Sequence, residues 1–178
     1  MSPQIKMIVV NKSKFPIAFA LLCYPLLFGC LKPEEFPNEP RITFKSIEFD
    51  ESNNAILRID FTDGNGNFGL DEGDFEGRPD SCVTGYNLFI RQFELQNGNW
   101  ADVTSDPCLD PENIALFYRV PWAKPSGQIK TQKGEIKVDL DQGWYLESDF
   151  DTVRFEITIM DRDFNKSNVL TTDYYLKP

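Results

Sequence analysis

Hydrophobic and polar residues alternate with a period of two along most of this chain, and no segment carries the 3.6-residue stripe of a helix. The clearest stretch is VRFEITI, residues 153–159, in which every second residue is apolar. Such alternation places the apolar side chains on one face of a β-strand. The pattern predicts eight strands, at residues 41–49, 55–62, 86–95, 99–103, 114–120, 134–140, 152–161 and 168–176.

Turn residues and shifts of parity predict how these strands connect. Asn97-Gly98 is a strong signal for a two-residue hairpin turn, and DRDFNKS, residues 161–167, closes a second hairpin. The apolar alternation shifts by one residue within residues 44–47 and again within residues 90–93. Each shift needs an extra residue in the ladder, so we expect a β-bulge at both places.

Short alternating strands separated by turns predict an all-β protein, an immunoglobulin-like β-sandwich of about eight strands that forms a single domain over residues 41–178. The last third, residues 134–176, resembles the closing strands of immunoglobulin-like and fibronectin type III-like domains. In that order of strands, the loop after the second strand and the loop between the last two strands lie at the same end. The first strand begins there too.

The first thirty residues differ in composition from the rest. Three lysines precede FPIAFALLCYPLLFG, an apolar run that is shorter than the roughly twenty residues of a membrane span, which predicts an export signal. The run ends in LFGC, residues 27–30, which resembles the lipobox of bacterial lipoproteins. The resemblance implies a signal peptide over residues 1–29 and a diacyl or triacyl lipid on Cys30. The alternative is a plain secretory signal with a chance cysteine.

A segment rich in proline and glutamate, LKPEEFPNEP, follows Cys30. Because such a composition keeps a chain extended and solvated, we interpret residues 30–40 as the lipidated cysteine and a tether. The segment resembles the acidic export tag of Bacteroidetes-type outer-membrane lipoproteins. The resemblance implies an outer-membrane lipoprotein at the cell surface, with the periplasmic face as the alternative and the membrane as a partner through the lipid.

Acidic residues dominate the chain that would remain after export. Without residues 1–29, Lys plus Arg falls from 18 to 15 while Asp plus Glu stays at 28, a formal charge of −13. This excess argues against nucleic acid as a partner and favours cations or basic proteins. Histidine, the commonest general base, does not occur. We therefore predict a binding protein rather than an enzyme, with a hydrolase built on two carboxylates as the alternative.

Two cysteines remain in the exported chain, Cys82 and Cys108. An even pair in an exported protein predicts a disulfide between them. The alternative is a reactive thiol.

The segment DGNGNFGLDEGD, residues 63–74, carries the candidate chemistry. Oxygen-bearing side chains occupy its first, third, fifth, ninth and twelfth positions: Asp63, Asn65, Asn67, Asp71 and Asp74. Hard oxygen ligands favour calcium over transition metals. Because the loop between the last two strands lies at the same end, we expect Asp161 and Asp163 to contribute as well.

This segment is not an EF-hand, because its sixth residue is Phe68 instead of glycine and strands flank it instead of helices. It resembles the DGDGDIG-type loop of Bacteroidetes-type lipoproteins, with Asn65 and Asn67 in place of two aspartates. Fewer charges imply a weak calcium affinity, about 0.1–1 mM. The alternative is a glycine-rich turn without a metal, in which Phe68 and Leu70 fill the core.

Three tryptophans, Trp100, Trp122 and Trp144, are candidates for stacking on a glycan, and the alternative is that they pack in the fold. The sequence predicts a lipid-anchored binding or structural protein of the envelope, stabilised by calcium, with an envelope protein as its partner. The second hypothesis is a carbohydrate-binding accessory lipoprotein of a polysaccharide-uptake system, in which Trp100 or Trp122 contacts the glycan.

Overall fold

A computed structural model describes residues 35–49, 51, 54–75, 84–104, 116–126, 130–140 and 150–177. Nine strands lie in these ranges: β1 (Arg41–Phe49), β2 (Ala55–Asp63), β3 (Leu88–Gln96), β4 (Asn99–Asp102), β5 (Phe117–Tyr118), β6 (Gln132–Leu140), β7 (Thr152–Ile159), β8 (Leu170–Thr171) and β9 (Tyr175–Leu176). They form two antiparallel sheets, so the prediction of an all-β sandwich is confirmed. No helix in the described ranges is long and apolar enough to cross a membrane. The signal peptide, Cys30, Cys82, Cys108 and Trp144 lie outside the described residues.

The two sheets differ in size. The first has three strands in the order β1-β2-β6, and its central strand pairs Leu57 with Ile47 on one side and with Val138 on the other. The second follows the order β4-β3-β7-β8, with β5 pairing to β3 and β9 pairing to β7. Strand β2 is therefore an inner strand of the first sheet, and β7 is an inner strand of the second sheet.

The inward faces of the strands form a hydrophobic core. β2 contributes Leu57 and Ile59, and β7 contributes Phe155 and Ile157, all without exposed surface. Burying each such side chain contributes about 1.5–3 kcal/mol relative to leaving it in water. The period of two in the sequence thus reports which side of each strand faces the core.

Strand pairing confirms the first predicted bulge and both hairpins. The register between β1 and β2 shifts between Phe44 and Ser46. Asn97 and Gly98 turn β3 into β4 with φ angles of 52° and 81°, the left-handed region that this turn requires. Residues 161–167 turn β7 towards β8, which pairs with it antiparallel.

The second predicted bulge, within residues 90–93, is wrong. β3 pairs with β7 without a register shift from Leu88 to Glu94. The strand keeps its alternation by burying Gln92 and Glu94 and by turning Phe93 to the outer face. The Phe93 ring is stabilised on the outer face, because the guanidinium groups of two arginines lie over it.

The strand predicted at residues 168–176 is divided into β8 and β9. Thr172 lies between them, and its hydroxyl accepts a 3.0 Å hydrogen bond from the N–H of Phe155, where a continuous strand would offer a backbone carbonyl. Its own N–H donates to the Phe155 carbonyl over 2.9 Å. The Thr172 side chain thus replaces one backbone hydrogen bond of the ladder. The chain can therefore separate from β7 between β8 and β9, which both pair with it.

Candidate metal centre

β2 leads directly into the candidate cation loop, residues 63–74. The last residue of the strand, Asp63, has no exposed surface. Its Oδ1 accepts a 2.8 Å hydrogen bond from the N–H of Gly66, which turns the chain. Gly66 has a φ angle of 72°, and a Cβ atom there would lie 1.9 Å from the carbonyl oxygen of Lys130. The turn therefore requires glycine at this position.

Three side-chain oxygens of this loop are buried and accept no hydrogen bond from any described residue: Asp63 Oδ2, Asn65 Oδ1 and Asn67 Oδ1. A buried oxygen without a donor costs about 1–3 kcal/mol. Three of them on alternate residues of one loop call for an explanation, and a bound cation supplies one. They are also the first, third and fifth positions of the predicted calcium pattern.

A second buried carboxylate, that of Asp161, lies close enough to act on Asp63 through its charge. Its Oδ1 accepts hydrogen bonds of 2.8 Å from the N–H groups of Asp163 and Asn165. Its Oδ2 accepts a 2.8 Å bond from Asn165 Nδ2. These bonds hold the Asp161 carboxylate at the beginning of the loop between β7 and β8.

The surroundings of Asp63 oppose its ionisation. Burial raises the pKa of the Asp63 carboxyl above its ordinary value, and the negative charge of Asp161 raises it further, while the nearby N–H groups of Gly66, Asn65 and Asn67 act in the opposite direction. Within the described part of the chain, neither carboxylate forms a salt bridge. A divalent cation would neutralise both charges and supply the missing partner.

Backbone and side-chain contacts join the cation loop to the loop after β7. The N–H of Arg162 donates to the carbonyl of Asn67 over 3.4 Å, and Asn67 Nδ2 donates to Asp163 Oδ2 over 2.7 Å. This confirms the expectation that the two loops meet at one end of the sandwich. The bond to Asp163 uses the amide nitrogen of Asn67 and leaves its oxygen for a cation, so Asp163 orients a candidate ligand.

Asp71 and Asp74, the last two predicted ligands, have a different partner. Arg162 Nη2 lies 3.0 Å from Asp71 Oδ2, and Arg162 Nε donates to Asp74 Oδ2 over 3.1 Å. The hydrogen bond from Arg162 holds the pKa of Asp74 below its ordinary value. The expectation that all five loop positions surround one cation stays a prediction for Asp71 and Asp74, because both carboxylates contact the single positive charge of Arg162.

The candidate ligand set is two carboxylates and two amides: Asp63, Asp161, Asn65 and Asn67. No group of three or more acidic, histidine or cysteine side chains in the described residues is arranged to hold a metal. Amide oxygens are nevertheless ordinary calcium ligands, and calcium takes six to eight oxygens of which water supplies some. The composition of the set fits calcium better than a transition metal, which prefers nitrogen or sulfur.

Trp122 and Arg162 brace the loop from outside. Trp122 Nε1 donates to the carbonyl of Gly66 over 3.1 Å, and the guanidinium of Arg162 lies over the indole. The N–H of Leu70 donates to the carbonyl of Val120 over 3.0 Å, and the N–H of Trp122 returns a 3.2 Å bond to Leu70. Sequence reasoning missed this role of Arg162, although its position between two predicted contributors was a signal.

Phe68 and Leu70 fill the core, as the alternative interpretation of the loop predicted. Both are buried, and the Phe68 ring lies 4.9 Å from that of Phe61. The N–H of Phe68 donates to Gln132 Oε1 over 3.0 Å. This packing does not compete with a cation, because it uses the apolar side chains and the backbone and does not involve Asp63 Oδ2, Asn65 Oδ1 or Asn67 Oδ1.

The two described tryptophans pack against the fold. Each is half-buried, and each has an arginine guanidinium over its ring: Arg154 over Trp100 at 4.7 Å from the centroid, and Arg162 over Trp122 at 3.8 Å. These contacts occupy ring surface that a sugar would need. Stacking of a glycan on either ring stays a hypothesis.

The comparisons with known proteins add no relative. No family model matches the chain, and neither a curated protein nor a solved structure does. The class that the fold and the site define is therefore an all-β sandwich with a candidate cation loop, and the function is argued from that geometry alone.

Proposed function

We propose that this protein is a lipid-anchored binding or structural module of a bacterial outer envelope, and that a calcium ion joins two loops at one end of its sandwich. The observation that best supports calcium is the buried Oδ2 of Asp63, which has no hydrogen-bond donor among the described residues. The lipid anchor rests on the LFGC motif that ends at Cys30. The envelope location rests on the acidic segment that follows.

The ion has a structural task in this proposal. Asp63 ends β2 of the first sheet, and Asp161 follows β7 of the second sheet. An ion that binds both carboxylates links the two sheets and removes the repulsion between two buried negative charges. The protein then acts by presenting a stable surface to an envelope partner rather than by catalysis.

Thermal unfolding of residues 31–178 with calcium and then with a chelator tests the proposal. For a dissociation constant of about 0.1–1 mM, 10 mM calcium stabilises the folded state by about 1.4–2.7 kcal/mol. For a domain of this size, that free energy raises the melting temperature by roughly 3–10 °C. An unchanged melting temperature would leave the loop as a glycine-rich turn without a metal.

Two variants separate calcium binding from a general effect of charge. Asp63→Asn removes the buried charge and is expected to abolish the calcium-dependent shift. Asp71→Asn removes the same charge from a carboxylate that contacts Arg162, and its shift should equal that of the wild type. Equal loss of the shift in both variants would argue for nonspecific attraction of cations to an acidic surface.

A gain of affinity is a second check on the ligand set. Asn65 contributes only a neutral amide oxygen, and that oxygen has no hydrogen-bond donor among the described residues. Asn65→Asp adds a negative charge at this position, so calcium should bind more tightly and the protein without calcium should become less stable. Isothermal titration and chelator-treated unfolding measure the two effects separately.

A further inference from the structure

The tether enters the domain beside the candidate metal centre. The N–H of Gly64, the residue after Asp63, donates a 2.8 Å hydrogen bond to the carbonyl of Pro37. A Cβ atom on Gly64 would lie 2.3 Å from the carbonyl oxygen of Phe36 and 2.5 Å from that of Pro37. The backbone of the tether thus lies directly against the first loop residue after a candidate ligand.

We infer that calcium binding at Asp63 controls whether residues 35–39 of the tether are docked on the domain. This inference rests on the proposed function, since it needs both the ion and the anchor at Cys30. Its first step is geometric. Asp63 Oδ1 and the N–H of Gly66 form the turn that aims the N–H of Gly64 outward to Pro37, so a shift of the Asp63 carboxylate moves that donor.

The second step is electrostatic. Without an ion, the negative charge of Asp161 acts on the buried Asp63 carboxylate, whose Oδ1 accepts the hydrogen bond that forms the turn next to Gly64. With an ion, both carboxylates are held and Gly64 keeps its donor in place. Calcium therefore favours the docked tether, and by reciprocity the docked tether must favour calcium by the same factor.

The docked segment is exposed over most of its length up to Pro40, which is buried and stays with the domain. Pro37, Asn38 and Glu39 are exposed, and Phe36 is half-buried. The Lys133 ammonium lies over the Phe36 ring, 5.4 Å from its centroid, a contact that is worth little at an exposed site. An effect as small as one hydrogen bond can thus shift the balance between docked and released tether.

Limited proteolysis of the mature lipidated protein in detergent measures the docking. A protease specific for glutamate cleaves between Glu35 and Phe36 only when that segment can leave the domain. Cleavage there should be about 2- to 13-fold slower in 10 mM calcium than in chelator, the range expected for one backbone hydrogen bond. Cleavage after Glu51, in the exposed turn between β1 and β2, is the internal control and should not change.

Gly64→Ala disrupts docking of the tether without removing a ligand of the ion. The Cβ atom of the alanine collides with the tether, and Gly64 has no side chain that could bind calcium. Gly64 is not among the residues with positive φ, so alanine does not strain the backbone. Cleavage after Glu35 should become fast with or without calcium, and the calcium affinity should fall by the same factor. Phe36→Ala, which leaves the cation loop untouched, should show both effects to a smaller extent.

The outcomes distinguish the two proposals. In one outcome the wild type binds calcium, but the rate of cleavage after Glu35 does not depend on calcium and both variants keep the calcium affinity of the wild type. The coupling to the tether is then wrong and the metal site stands. If calcium does not raise the melting temperature of the wild type, the metal site itself is wrong and the coupling falls with it.

Discussion

The guanidinium of Arg162 lies 3.8 Å from the centroid of the Trp122 ring while the indole N–H donates to the carbonyl of Gly66. Arg162 also pairs with the carboxylates of Asp71 and Asp74. One arginine thus connects the far half of the cation loop to the tryptophan that holds its first turn. This arrangement makes Trp122 a structural residue of the loop.

Trp122→Phe should lower the free energy of unfolding by about 1–3 kcal/mol, because it leaves the buried carbonyl of Gly66 without its donor. Trp100→Phe keeps an aromatic ring for Arg154 and is the matched control with a smaller loss. Urea unfolding measures both. If Trp122 served a glycan instead, its variant would lose binding on a glycan array and keep the stability of the wild type.

Phe68→Ala should destabilise the protein by about 3–5 kcal/mol, because it empties a fully packed position between the two sheets and the cation loop. Phe44→Ala is the control on the outer face of β1, where the ring is 37% exposed and the loss should be much smaller. Chemical denaturation compares the two. Similar losses would mean that Phe68 does not anchor the loop in the core.

Glu135→Gln should lower the free energy of unfolding at neutral pH but not at acidic pH. Lys45 and then Arg58 hold the pKa of Glu135 below its ordinary value of 4.5, through hydrogen bonds across the first sheet. A lowered pKa in the folded state stabilises it above the unfolded pKa, and this contribution is lost as the pH falls through the folded pKa. Urea unfolding should therefore separate wild type and variant at pH 7 and bring them together near pH 3.

High salt is the control for that pair of measurements. The three side chains are largely on the surface, so their attraction is screened by ions. At neutral pH, the difference between wild type and Glu135→Gln should shrink in 1 M sodium chloride. A difference that persists in acid and in salt would have to come from packing rather than charge.

Lys177→Met should lower the free energy of unfolding by more than the removal of an exposed charge would. The Lys177 ammonium lies 2.6 Å from Glu94 Oε1, and both side chains are buried. Removing one member of a buried ion pair typically costs about 3–5 kcal/mol, since the other charge loses its partner cation. The backbone bond from the N–H of Lys177 to the carbonyl of Asp151 survives the change. Equilibrium unfolding in urea gives the loss.

The double variant Glu94→Gln with Lys177→Met tests the interpretation. If the cost of the single change comes from the lost attraction between the two charges, the double variant should be more stable than the sum of the two single losses predicts. Strict additivity would mean that the two side chains contribute to stability independently.

Local patterns were enough to predict most of the strands, the turn at Asn97-Gly98 and the bulge near Ser46, although the strand predicted at residues 114–120 extends only over Phe117–Tyr118 in the described residues. Each depends on neighbours in the chain: the side of a strand alternates with every residue, and a turn depends on the φ angles that its own residues tolerate. The spacing of Asp63, Asn65 and Asn67 is local in the same sense. Their selection as candidate ligands therefore needed no tertiary information.

Which acidic residues pair with a basic side chain was decided by tertiary structure alone. Asp74 and Arg162 are 88 residues apart in the chain, and nothing in either segment reports that their side chains meet. The same holds for Glu94 and Lys177, 83 residues apart, whose pairing allows β3 to bury a carboxylate where the pattern predicted a bulge. A charge can be buried only beside a partner, and the fold chooses the partner.

The sequence by itself thus determined which residues alternate into two sheets and which oxygens stand on one loop, because strand periodicity and loop spacing are properties of consecutive residues. The predicted strand order also placed Asp161 near Asp63, whereas only the tertiary structure decided that Asp71 and Asp74 contact Arg162. The physical reason is that electrostatic partners are set by distance in space, which the order of residues along the chain does not contain.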